Sequence, residues 1–145
     1  MRRSALWCGI RYFLGLLFVA AGIGKLLDNR GFAEVIATYQ LPVPQSLLLP
    51  LALGIGLLEL TIGLNILWGR RLRSSVLATL CFHIAYTSLA ITTLLREIPI
   101  ENCGCFGAFL ARPLRWSSVA EDVALVAVSA LGLRLLKGVK PRGCE

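Results

Sequence analysis

Two thiols flank a single glycine in the stretch Ile100-Glu101-Asn102-Cys103-Gly104-Cys105-Phe106-Gly107. Thiols this close together can exchange with a disulfide, and glycines at 104 and 107 permit the tight backbone that exchange requires. A bridge closed across so short a loop is strained, and strained, exposed disulfides are the more oxidising and labile ones. The pair therefore suits a group that passes oxidising equivalents on. Spacing alone leaves a structural clip, two idle thiols and a soft-metal site open, because paired thiolates also select copper(I), zinc or mercury.

The other groups able to do chemistry are Lys25, Glu59, His83, Glu121 and Asp122, and what they can do depends on what holds them. Of the 145 residues, 57% are apolar and 16% charged, with a mean hydropathy of +0.75; ordinary soluble domains have roughly 45–50% and 25%. This composition excludes a soluble globule, a disordered chain and a coiled coil. Four apolar stretches match the about 17–25 residues that a helix needs to cross a bilayer: about 7–27, 47–68, 76–95 and 119–136. Asp28-Asn29-Arg30-Gly31 closes the first, and Pro42, Pro44 and Pro50 lead into the second. Gly69-Arg70-Arg71 ends the second, and Ser118 with Glu121 has the spacing of a capping box before the fourth. The first stretch is too long for a cleaved signal and lacks a small-x-small site, so it is expected to stay in the protein.

Basic residues in short loops mark the cytoplasmic side. Arg2 and Arg3, then Arg70, Arg71 and Arg73, then Lys137, Lys140 and Arg142 all fall on one side of such a bundle. Both termini are therefore expected in the cytoplasm. The loop 96–118, with Cys103 and Cys105, is expected on the exoplasmic side, where disulfides persist. The net charge of +7 reads as topology and contact with anionic headgroups, not as nucleic-acid binding. The expectation is one domain over 1–145, an all-α integral membrane protein built as a four-helix transmembrane bundle.

Counted inward from the cytoplasmic side at 1.5 Å per residue, Glu59 lies about 13 Å deep and His83 about 10 Å deep. An intramembrane carboxylate needs a partner or a proton, and His83 is the expected partner of Glu59. Together they read as a proton relay, as the polar end of a quinone pocket, or as a packing hydrogen bond. Lys25, near the outer end of the first span, is expected to snorkel to the surface; the alternative is an ammonium that lowers the pKa of Cys103 or Cys105. Glu121 and Asp122 open the last span, where negative charge suits the helix dipole and a proton-transfer role is the alternative. Cys8, Cys81 and Cys144 fall on the cytoplasmic side as small hydrophobes, with Cys8 and Cys81 as a conceivable inner pair. Arg11 is expected to snorkel to headgroups. Gly9, Gly15, Gly22, Gly24, Gly54, Gly56 and Gly63 suggest close pairing of the first two spans. No resident metal is expected.

The order and spacing of several short pieces carry a resemblance. They are Phe18-Val19-Ala20-Ala21-Gly22-Ile23-Gly24-Lys25-Leu26, Gly31-Phe32, Tyr39-Gln40-Leu41-Pro42-Val43-Pro44, Leu58-Glu59-Leu60 with Gly63, Cys103-Gly104-Cys105-Phe106-Gly107, and Trp116 with Glu121-Asp122. With them the sequence resembles the MauE/DoxX family of four-helix membrane proteins, and its methylamine-utilisation MauE branch in particular. The resemblance implies a redox-associated protein of the bacterial inner membrane. It implies a periplasmic thioredoxin-like partner and a disulfide-containing client whose maturation is assisted. Relatives of the DoxX type are linked to quinone-coupled sulfur oxidation, which implies quinone as an acceptor by analogy. One outer cysteine pair, where quinone-coupled disulfide generators usually employ two, favours a partner supplying the second pair or an accessory role. The rival classes are a non-catalytic membrane scaffold and a soft-metal transporter.

Overall fold

The computed structural model describes residues 2–137 and Cys144. Lys140 and Arg142 of the expected topology signal lie outside the described residues. Five helices follow one another: α1 (Arg2–Leu27), α2 (Asn29–Thr38), α3 (Gln45–Leu67), α4 (Leu72–Leu95) and α5 (Trp116–Leu136). Among the described residues, α1 from Arg3, α3 and α4 are long and apolar enough to cross a membrane. The protein is thus a helical membrane protein. α5 is also long, but it carries Glu121, Asp122 and Arg134 within 21 residues.

The bundle consists of two close pairs. α1 packs along α3 and α5 packs mainly on α4, with lesser contacts from α3 to α4 and from α1 to α5. The first pair is close because its glycines let backbones touch. A Cβ on Gly22 would fall 2.6 Å from the Leu60 nitrogen, and one on Gly63 would fall 2.7 Å from the Val19 nitrogen. Removing side chains from such an interface converts gap into van der Waals contact, which drives helix pairing in lipid. Gly15 and Gly56 also lie on this seam, but Gly9 and Gly54 face open space and take no part in it.

α2 was not legible as a helix in the loop after the first span. Asp28 caps it by accepting from the Gly31 N–H at 2.9 Å, in the usual N-cap manner. Its apolar face, Phe32, Ala33, Val35 and Ile36, is buried with Tyr39, Ala52, Ala90, Ile100, Leu114 and Val119. This outer core supports the cysteine loop.

Three expectations at the helix ends are corrected. α5 begins at Trp116, and the Ser118 hydroxyl accepts from the Arg115 N–H at 3.4 Å, so Ser118 lies one turn inside the helix and Glu121 has no part in that cap. Arg11 does not snorkel: it is buried and donates from Nε to the Ile66 carbonyl (2.8 Å) and from Nη2 to the Leu67 carbonyl (2.7 Å). It satisfies the Leu67 carbonyl and gives the Ile66 carbonyl a further donor at the end of α3, where a cation also suits the helix dipole. Cys8 does not pair with Cys81: Cys8 is disulfide-bonded to Cys144, and Cys81 is a free, exposed thiol. Cys81 stands exposed on α4, and the partner of Cys8 comes from near the C-terminal end of the sequence instead.

Candidate functional site

The cysteine loop is clamped onto the C-terminal end of α1. Gly107 has φ +75° and Gly104 φ +74°, left-handed values that a side chain disfavours. Space makes the same demand: a Cβ on Gly107 would fall 2.6 Å from the Gly24 carbonyl oxygen, and one on Gly104 would fall 2.8 Å from Val35 Cγ1. Gly24 faces Phe106 in return. Hydrogen bonds fix the rest. The Cys103 N–H donates to the Arg112 carbonyl (2.9 Å) and Leu114 N–H to that of Ile100 (2.9 Å). The Gly104 N–H donates to Asn102 Oδ1 (2.9 Å), and the Tyr39 hydroxyl donates to the Cys103 carbonyl (2.9 Å).

On this frame the Cys103 and Cys105 sulfurs stand 3.1 Å apart as free thiols. The Cys103 thiol is lowered to about 6, chiefly because the Cys105 thiol donates to it, with the Arg112 cation assisting. Cys105 is pushed the other way by that donation and by burial. Either sulfur can donate at this distance; with Cys105 donating, the thiolate resides on Cys103. Arg112 pairs with Glu121 at 2.9 Å on the surface, both more than half exposed.

Beneath the loop lies a buried network. Lys25 is 1% exposed and Glu59 2%, and they form an ion pair at 2.7 Å. Lys25 also donates to the Cys105 carbonyl at 2.8 Å, and its ammonium lies over the Phe32 and Tyr86 rings at 5.3 and 5.7 Å. The Tyr86 hydroxyl donates to the other Glu59 oxygen at 2.5 Å. Two expectations fall here. Lys25 does not snorkel, because the Glu59 carboxylate and a loop carbonyl satisfy it inside the bundle. Its hold is on the backbone of Cys105, and its pull on that thiol is the least of the influences there. His83 is not the partner of Glu59: its Nδ1 meets Ser129 Oγ on α5 at 2.9 Å, and Tyr86, one turn further out on α4, takes the carboxylate instead.

Two cavities flank Cys105. One, of about 120 Å³, lies between α2, α3 and α4 and is lined almost entirely by apolar groups such as Val35, Ile55 and Leu89. The other, of about 350 Å³, is bounded by Leu17, Phe18 and Ala21 of α1, by Glu59, by His83 and Tyr86 of α4, and by Asp122, Ala124 and Leu125 of α5. Tyr86, Cys105 and Asp122 border both. The structure thus gathers Cys103, Cys105, Gly104, Phe106, Gly107, Lys25, Glu59 and Asp122 about one centre, with His83 at the far end of the larger cavity and Glu121 out on the surface. Tyr39, Tyr86, Asn102 and Arg112 are the members not singled out by residue type. The one signal for Tyr86 is its i+3 spacing from His83 on a helix, which places both on one face.

The profile of the family described as methylamine utilisation protein MauE matches residues 3–135. The chain is 31% identical over 125 residues to a curated methylamine utilization protein MauE of Paracoccus denitrificans; the match covers 86% of this chain and 66% of that relative. The chain thus spans just under two thirds of the length of the relative. No solved structure matches it.

Proposed function

The chain belongs to the MauE family of membrane proteins, and from that membership we propose that it performs thiol–disulfide exchange at Cys103 and Cys105 with a periplasmic thioredoxin-like protein. The exchange serves the maturation of a disulfide-containing client in methylamine utilisation. α5 is the fourth span, the termini are cytoplasmic, and the cysteine loop faces the periplasm across the bacterial inner membrane. The observation that carries this reading is the pair of free sulfurs 3.1 Å apart on a loop that glycines and a buried ion pair hold in place.

The Cys103 thiolate attacks a partner disulfide, and the partner's released sulfur leaves as thiolate. Cys105 then attacks Cys103 in the mixed disulfide, closing the intramolecular bridge and freeing the reduced partner. The reverse sequence oxidises the partner, and the direction follows from the two potentials. In a Cys105→Ser variant the resolving sulfur is gone, so a mixed disulfide through Cys103 accumulates with the thioredoxin-like protein and disappears on reduction. Full client maturation in the Cys103→Ser/Cys105→Ser protein would overturn the reading. Retention of copper or mercury by wild type alone, with no mixed disulfide, would assign the sulfurs to metal.

A further inference from the structure

Before Cys105 can attack Cys103 in a mixed disulfide, it must part with its proton. Its donation to Cys103, then its burial, then the negative charges of Cys103 and Asp122 weigh against that loss. Bonding Cys103 to a partner removes the Cys103 contributions and leaves burial and Asp122. Few groups nearby can accept the proton. Lys25 and Arg112 are cations, and Glu59 has one oxygen on Lys25 and the other on the Tyr86 hydroxyl. The Tyr39 hydroxyl donates to the Cys103 carbonyl, Glu121 is held by Arg112 at the surface, and His83 meets Ser129 a turn further in than Tyr86. The Asp122 carboxylate differs from all of these. Among the described residues its side chain has neither an ion pair nor a hydrogen-bond partner. It is half-buried, and with Cys105 and Tyr86 it borders both cavities. The larger cavity is also lined by the exposed Arg112 and Glu121, so Asp122 has the thiol on one side and a polar mouth on the other.

We propose that the Asp122 carboxylate takes the Cys105 proton as Cys105 closes the bridge, and releases it through that mouth. The inference rests on the exchange reading above and adds the proton acceptor which that reading requires. The Cys105 S–H bond breaks, and its proton goes to an Asp122 oxygen directly or across one water. The electron pair left on Cys105 forms the S–S bond to Cys103, and the pair of the broken bond leaves on the partner's sulfur. Cys105 is thereby oxidised and the partner's sulfur reduced, with no further reagent. The protonated carboxyl then yields its proton to water at the mouth. A thiolate forming beside an ionised Asp122 would put two like charges in a half-buried site; transfer moves one charge from oxygen to sulfur and keeps their number at one.

The test uses the full chain in lipid nanodiscs, with Cys81→Ala to remove the remaining free thiol, and one equivalent of dithiobis-nitrobenzoate. Attack by Cys103 releases one coloured thionitrobenzoate, closure by Cys105 releases the second, and mass spectrometry identifies the bridge. Asp122→Asn should slow the second release about a hundredfold. The first release should be no slower, because the lost charge opposes the Cys103 thiolate. An Asp122 that acted by its charge alone would give faster closure in that variant. With rising pH, the second release of wild type should climb as one carboxyl ionises and then level; in Asp122→Asn it should keep climbing about tenfold per unit, with hydroxide as the base. Asp122→Glu should retain most of the rate, and formate, small enough to enter the cavity, should restore Asp122→Asn in proportion to its concentration. Val123→Ala, at an exposed position of the same helix, should leave both releases unchanged. Closure in Asp122→Asn as fast as in wild type, equal slowing of both releases, or failure of both Asp122→Glu and formate to restore closure would overturn the proposal and leave the exchange standing. A wild-type protein that releases one thionitrobenzoate and never closes the bridge would sink the exchange reading itself.

Discussion

Replacing Lys25 by methionine keeps much of the length of the side chain and removes its charge. Lys25 and Glu59 are 1% and 2% exposed, so the change leaves a carboxylate in the bundle with only the Tyr86 hydroxyl as donor, and leaves the Cys105 carbonyl without Lys25. Removing one member of a buried pair destabilises by about 3–5 kcal/mol. Replacing both, as Lys25→Met/Glu59→Gln, removes the stranded charge and keeps an acceptor for Tyr86; most of the loss should return, giving a coupling of a few kcal/mol in the double-mutant cycle. The surface pair of Arg112 and Glu121 is the internal reference. Both partners are more than half exposed, and Glu121→Gln should leave stability almost unchanged. Reversible unfolding in mixed micelles at several detergent fractions measures wild type, Lys25→Met, Glu59→Gln, the double variant and Glu121→Gln. The Lys25→Met protein should also show faster alkylation of Cys105, since its loop has lost its anchor. The reasoning is refuted if Lys25→Met loses no more stability than Glu121→Gln, or if the double variant is as unstable as the single one.

Alkylation of Cys103 should follow a titration centred at about 6: the thiolate prevails above that pH and the rate falls roughly tenfold per unit below it, as iodoacetamide kinetics would register. A midpoint at the ordinary thiol value would contradict the hydrogen bond from Cys105. Arg112→Gln should move that midpoint upward, because the cation that favours the thiolate is gone. Gly107→Ala places a methyl group against the Gly24 carbonyl and asks a side chain to hold φ +75°; a loss of about 1–3 kcal/mol is expected, with the thiols more open to a bulky maleimide. Non-reducing peptide mapping should find Cys8 linked to Cys144 and Cys81 open to alkylation; the converse would dismiss the bridge.

The long helices were visible in the sequence because the solvent they meet imposes one rule along their whole length: about 20 apolar residues without a break. Their ends and their polar contacts obey no such rule. α2 is 10 residues long and half polar, and only the burial of Phe32, Val35 and Ile36 against α3 and α4 makes it a helix, which is a tertiary cause. The cysteine pair was legible from spacing, and its glycines from the turn that such spacing demands. Glu59 plainly needed a partner, and depth pointed to His83 when the partner is Lys25. Depth fixes a layer and leaves rotation about the helix free. Lys25 looked like a surface residue because it stands two positions from the end of α1, and nothing local records that the loop folds back over it.

α4 and α5 are joined by the cysteine loop, and that loop rests on α1, the leading helix of the other pair. Its contacts with Gly24 and Lys25 thus make it a strap across the two pairs. A protein that grips Cys103 from outside must tug on that strap, and the strain runs to the Lys25 and Glu59 charges in the middle of the bundle. A partner bonded there would have leverage on the helices below.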